Sequence, residues 1–228
     1  MARKEEATLI LKIKKVGERT LESIKTGLVN IGKAAGIAAT AITAFVGAGV
    51  RAFRQQELAV NKLNTSLANQ GIFTEELSQK YQDMASALQK VTTFGDEAII
   101  SSQAQLQSYL GNIEVTEELT KSTLDFAAAM GIDLKSAADL IGKSIGSSTN
   151  ALTRYGITID SGATKQEKMA QVVTELNKKF GGQAEAAAQG LGSMEQFNNA
   201  FGDFLEKVGE RAAPLIAEVT KRLISFGK

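Results

Sequence analysis

Leu124–Asp160, LDFAAAMGIDLKSAADLIGKSIGSSTNALTRYGITID, reads as two short helices around a tight turn, followed by a loop. Gly131 can end the first helix with positive φ, and the Asp133 carboxylate can cap the second. Leu134, Ala138, Ile141 and Ile145 fall 4, 3 and 4 residues apart, which places them on one helical face. Leu152-Thr153-Arg154-Tyr155-Gly156-Ile157 repeats the glycine-isoleucine step before a turn at Asp160, Ser161 and Gly162. The segment predicts packing and contains no catalytic constellation.

Outward from this segment the same grammar recurs. Thr116-Glu117-Glu118 starts the helix that enters it, and Asp96 starts another after Gly95, carrying Ile99, Ile100, Leu106, Leu110 and Ile113. Thr74 is a predicted N-cap whose following glutamates favour the helix dipole. Thr164 with Glu167, and Ser193 with Gln196, match the capping-box spacing, predicting helices over about 165–180 and 193–210. The intervening GGQAEAAAQGLG is too rich in terminal glycine for a long helix, and Pro214 is expected to interrupt or restart the last one. Gly-Ile steps at 71, 131 and 156 define no period, so no solenoid is read.

The predicted fold is therefore all-α, with short-to-medium amphipathic helices, glycine-punctuated and packed as a coiled coil or bundle. Leu77, Tyr81, Met84, Leu88 and Val91, spaced 4, 3, 4 and 3, form an expected helix-packing seam. Residues 1–33 form a basic amphipathic arm with eight Lys or Arg and four Glu, whose first part, around residues 8–14, reads as a short strand or a helix start. Residues 34–51 hold the uncharged run AAGIAATAITAFVGAGV and its closing arginine. That run is slightly short for a membrane span and rich in weakly inserting Ala, Gly and Thr. Gly36, Ile37, Ile42, Phe45, Val46 and Gly47 are its candidate membrane or self-association residues, with Gly49 also suited to close helix approach. Residues 52–228 are read as one multi-helix region.

The 228 residues carry 26 basic and 25 acidic side chains, with no histidine or cysteine. Imidazole catalysis, thiolate metal sites and disulfides are excluded by composition. Gly142-Lys143-Ser144 lacks the glycine five positions earlier that a phosphate-binding loop needs, since Ala137 stands there. The serines have no activating base, and the Phe197, Phe201 and Phe204 row predicts core packing. No enzyme activity, cofactor, metal or specific nucleic-acid recognition is expected.

The alanine-rich step ending at Gly131, the Gly142-Lys143 step and Leu152–Ile157 as L-x-R-x-G-I together resemble a segment of tail tape measure proteins of long-tailed bacteriophages. Further steps in the same order extend the resemblance from about Ala52 onward. Phe53, Glu57, Leu63 and Leu67 resemble the family's entry helix, and Ala87, Leu88, Thr92, Thr93, Phe94 and Asp96 resemble its A-L-x-x-x-T-x-F-x-D step. Phe180-Gly181-Gly182 with Ala184, Glu185 and Ala186 is similar to its F-G-G-x-A-x-A step, and Gly209 with Pro214 to its G-x-x-x-x-P ending.

The resemblance implies an N-terminal or short form of a structural subunit, assembled in the host cytoplasm and lying in the tail tube lumen of the virion. It would set tail length, template tube assembly and leave ahead of DNA during infection. Its implied partners are copies of itself, the tail tube protein, tail assembly chaperones, distal tail or baseplate proteins and, through residues 34–50, the host membrane or cell envelope. The alternatives are a membrane-active helical pore former and a helical adaptor that binds through the Leu77–Val91 seam.

Overall fold

The computed structural model describes residues 37–189 and 192–226, with side chains described at 46–189, 192 and 194–214. The fold is all-α. Eight helices, one 3-10 turn and no strand are present among these residues: α1 Ile37–Asn69, α2 Glu75–Gln89, α3 Asp96–Leu110, α4 Glu117–Met130, α5 Leu134–Gly146, the 3-10 turn Thr153–Tyr155, α6 Lys165–Phe180, α7 Gln183–Ala187 and α8 Gly192–Phe226. Two compact units are distinguished: one spans Gln56–Asn199, and the other joins described residues 37–55 to 200–226. The expected N-terminal arm, with its strand or helix, and Gly36 lie outside the described residues.

Local signals set most helix ends. Thr74, Thr116, Asp133 and Thr164 each accept a hydrogen bond from a backbone N–H of the first turn. At Thr164 the reciprocal bond from its own N–H to Glu167 completes a capping box. The three Gly-Ile steps share one geometry. Gly71, Gly131 and Gly156 have φ of 72, 62 and 71°, and the following isoleucine N–H reaches back to Leu67, Ala127 and Leu152 carbonyls at 3.1, 3.1 and 3.4 Å. This is a Schellman stop, in which glycine removes the Cβ penalty and the next apolar residue folds back onto the core. The recurrence reflects a repeated helix ending, consistent with the absence of a period.

One expected interruption differs, at Pro214, while α1 runs unbroken through Arg51. α8 runs through Pro214, which is exposed. Ser193 lies inside α8, and the Gln196 side chain donates to the Lys90 carbonyl at 3.1 Å. The glycine-flanked segment before it holds only the five-residue α7.

Within the Gln56–Asn199 unit, α3 and α4 are the central helices. α3 buries Ile99, Ile100, Gln103, Ala104, Leu106, Gln107 and Leu110, more than one amphipathic stripe. α4 does so with Leu119, Leu124 and Phe126 alongside Thr120, Ser122 and Thr123, whose hydroxyls donate to their own i−4 carbonyls. That local bonding lets polar residues enter the core without unsatisfied donors. Each fully buried leucine or isoleucine contributes about 1.5–3 kcal/mol relative to exposure.

Candidate functional site

The most extensive helix pairing in the larger unit is between α3 and α5, and glycines make it. A Cβ added at Gly142 would strike the Tyr109 ring, and one at Gly146 would lie 2.8 Å from the Tyr109 carbonyl oxygen. Gly142 and Gly146 thus form a notch, one helical turn long, that receives Tyr109 of α3. The ring is held from its far end. Its hydroxyl donates to Asp139 Oδ1 at 2.5 Å, and Lys143 Nζ meets Asp139 Oδ2 at 2.6 Å. Bonds from Lys143 first, then Tyr109, hold the Asp139 carboxyl below its ordinary range. Gly142-Lys143-Ser144 is therefore a helix-packing element, with Lys143 in an ion pair and Ser144 donating to the Leu140 carbonyl at 2.8 Å.

The other end of the segment caps a helix from a distance. Asp125 in α4 is 1% exposed, and its carboxylate accepts from the backbone N–H groups of Gly182 and Ala184 at 3.1 and 2.9 Å. It supplies α7, which has no cap of its own, with acceptors for its orphan N–H groups. Phe126 beside it is fully buried, edge-on to Tyr155 at 4.9 Å and tilted against Phe180 at 5.6 Å between ring centroids. Leu124–Asp160 is thus a hub that organises α3, α5, α6 and α7.

The expected seam is largely internal. Tyr81, Met84 and Leu88 are buried and Leu77 is half-buried, packed against the core cluster. Tyr81 donates to Gln107 at 2.8 Å and accepts from the Val115 N–H at 2.7 Å, and burial pushes its hydroxyl pKa up. Val91 corrects the expectation: it lies beyond the end of α2 and is 46% exposed. The spacing identified a face correctly, but α3 and the loop after it occupy that face. An adaptor reading based on a free Leu77–Val91 seam loses its surface.

The candidate residues of the apolar run divide differently. Ile37, Ile42 and Phe45 lie in α1, outside the described side chains, while Val46 is buried and Gly47 is exposed with nothing near its Cβ position. Gly49, two residues further on, makes the close approach. Its Cβ position lies 2.7 Å from the Leu205 carbonyl oxygen and 3.0 Å from the Gly209 N, and a Cβ at Gly209 would in turn overlap the Gly49 carbonyl. The small-residue contact is between α1 and α8 of one chain, with Val208 and Ala212 buried around it. No helix among the described residues is long and apolar enough to cross a membrane.

The phenylalanine row also departs from expectation. Phe197 and Phe201 are 44% and 42% exposed although core packing was expected of them, and Met194 one turn earlier is 62% exposed. The face of α8 that docks carries Gln196 and Asn199, which donate to the Lys90 and Thr93 carbonyls. Met194, Phe197 and Phe201 fall on the opposite side of the helix by its 100° periodicity. Sequence reasoning missed this because amide-to-carbonyl docking leaves no apolar signature.

Among the described residues, no group of three His, Cys, Asp or Glu side chains is placed to hold a metal. Two depressions, lined by Glu75, Glu76, Gln79, Lys80 and Asp83 and by Thr158, Ala170, Gln171, Thr174 and Glu175, are open to solvent. Comparison with protein-family models, curated proteins and solved structures finds no match to this chain. The functional reading therefore rests on the residues themselves.

Proposed function

We propose that this chain is a structural subunit of a bacteriophage tail, of the tape measure type, and that Gln56–Asn199 is a folded module of that tape. The observation carrying the reading is the ordered set of resemblance steps, four of which, ending at Asp96, Gly131, Ile157 and Ala186, fall at junctions of this fold. Ala87–Asp96 makes the α2–α3 turn, where the Thr92 hydroxyl donates to the Leu88 carbonyl at 2.9 Å. Leu152–Ile157 makes the last Schellman stop. Phe180–Ala186 makes the α6–α7 turn that Asp125 caps. Residues that set turns are the ones a shared fold would keep in order.

The module itself is a poor ruler. A compact unit of its length has a radius of gyration of ~15 Å, whereas the same residues in one helix would reach ~215 Å. In this reading the module docks or nucleates, and length is set by extended helix elsewhere. The exposed Met194, Phe197 and Phe201 side of α8 offers apolar surface for the tube or another copy. Lengthening α8 by whole heptads in the assembling phage should lengthen tails by ~1.5 Å per residue. Unchanged tails on electron micrographs, or absence of the chain from purified tails, would overturn the proposal.

A further inference from the structure

Among the described residues three buried side-chain polar atoms lack a hydrogen-bond partner, and two of them belong to one interacting pair: Gln56 Oε1 and Asp96 Oδ1. Gln56 Nε2 donates to the other carboxylate oxygen, Asp96 Oδ2, at 3.3 Å. Asp96 is only 9% exposed, and its N–H donates to Gln89 Oε1 at 2.7 Å. The contact ties α1 to the head of α3 within the larger unit. Beside that one bond, each partner keeps a buried acceptor with no donor, a combination that buried polar pairs avoid.

One proton completes it. With hydrogen on Oδ1, Asp96 is a carboxylic acid and Gln56 a primary amide, and the two can bond twice, O–H to Oε1 and N–H to Oδ2. Backbone N–H groups at the head of α3, of Asp96 itself and of Glu97, favour the ionised form, but burial and the Glu97 charge outweigh them. Gln56 from α1 and Gln89 from α2 are neutral amides, Asn199 of α8 brings its amide oxygen to the adjacent Gly95, and Glu97 on α3 is the titratable group beside it. Burial first, then the Glu97 charge, pushes the Asp96 pKa up to about 6.

We infer that Asp96 and Gln56 form a proton-operated latch: the neutral acid clamps α1 onto the head of α3, and ionisation leaves a buried carboxylate facing an amide oxygen and loosens that clamp. The latch is a property of this fold and does not depend on the tail reading. An acid with a raised folded value stabilises the fold fully below its unfolded value of 3.8, and that contribution is lost as pH rises through about 6. The folding equilibrium should therefore weaken on the order of 100-fold between pH 4 and pH 8 through this group.

The test uses the full chain and the Asp96→Asn variant, which keeps the shape and the two-bond pairing without an ionisable proton. Denaturant midpoints should favour Asp96→Asn over wild type at pH 8, and the difference should shrink as pH falls and close only below about pH 4. Glu97→Gln should keep most of the wild-type pH dependence and move it to lower pH, because burial is the larger cause. Carbon-13 titration of the wild-type Asp96 carboxyl reads the same event without a variant and should show a midpoint well above that of a free aspartate. Asp96→Asn tracking wild type at every pH, or an ordinary carboxyl midpoint, would overturn the latch. So would stabilisation of wild type by calcium or magnesium at pH 8 that Asp96→Asn abolishes, because the paired oxygens would then be cation ligands.

Discussion

Two glycine contacts in this chain do different mechanical work. In the larger unit, Gly142 and Gly146 of α5 open a notch for the Tyr109 side chain, and the half-buried tyrosine packs against the core cluster that holds the fully buried Leu106, Ile141 and Ile145. In the smaller unit, Gly49 and Gly209 bring two backbones together, flanked by buried Val46, Val208 and Ala212 and by residues one turn on that are mostly half-buried. A side chain in a notch can yield by rotating. A backbone against a backbone yields only by moving a helix, but it does so with less core at stake.

The comparison is calibrated by a deletion in the hub. Phe126→Ala removes a fully buried ring that touches Tyr155 and Phe180, and it should cost about 3–5 kcal/mol in denaturant unfolding. A cost under about 1 kcal/mol would mean that the hub is not the core of the unit.

Gly142→Ala comes next, at about 1–3 kcal/mol, the range of overpacking by one methyl group. The Tyr109 ring is its specific opponent, so Tyr109→Ala should cost less in the Gly142→Ala background than alone. A double-mutant cycle measures this, and simple additivity would separate the two residues.

Gly209→Ala should act mainly on the smaller unit. Its Cβ meets the Gly49 backbone, so α1 and α8 must separate there. Hydrogen exchange should accelerate over residues 46–55 and 203–212, while protection in α3 and α4 stays close to wild type. Equal acceleration in α3 and α4 would mean that the two units unfold as one cooperative block.

What the sequence made legible follows the same division between local and distant causes. Caps at Thr74, Thr116, Asp133 and Thr164, and stops at Gly131 and Gly156, are decided by residues within about one turn, and a linear reading finds them. The Leu77–Leu88 face was equally visible, but spacing names a face and not what covers it, so the seam read as available when α3 already filled it. Asp125 capping α7 and Gln196 bonding the Lys90 carbonyl join residues 57 and 106 positions apart. Nothing local marks either end of such a bond.

Gly131→Ala isolates conformation from packing. Its Cβ position is open, yet its φ is +62°, so the cost should be about 1 kcal/mol from the left-handed backbone alone.

The smallest effect should carry the opposite sign. Gly47 lies in the interior of α1, exposed, with open space at its Cβ position and no positive φ, so Gly47→Ala should stabilise α1 by roughly 0.5–1 kcal/mol. Gly49→Ala, two residues away, should destabilise the same helix, because its methyl group meets the Leu205 carbonyl and Gly209. The pair distinguishes a glycine required by this chain's own packing from one that its packing leaves unexplained. If Gly47→Ala stabilises the chain yet dissociates an oligomer in sedimentation, the bare surface at Gly47 is the contact for a second copy. If it stabilises the chain and leaves its association unchanged, the apolar run owes its glycines to the α1–α8 crossing at Gly49.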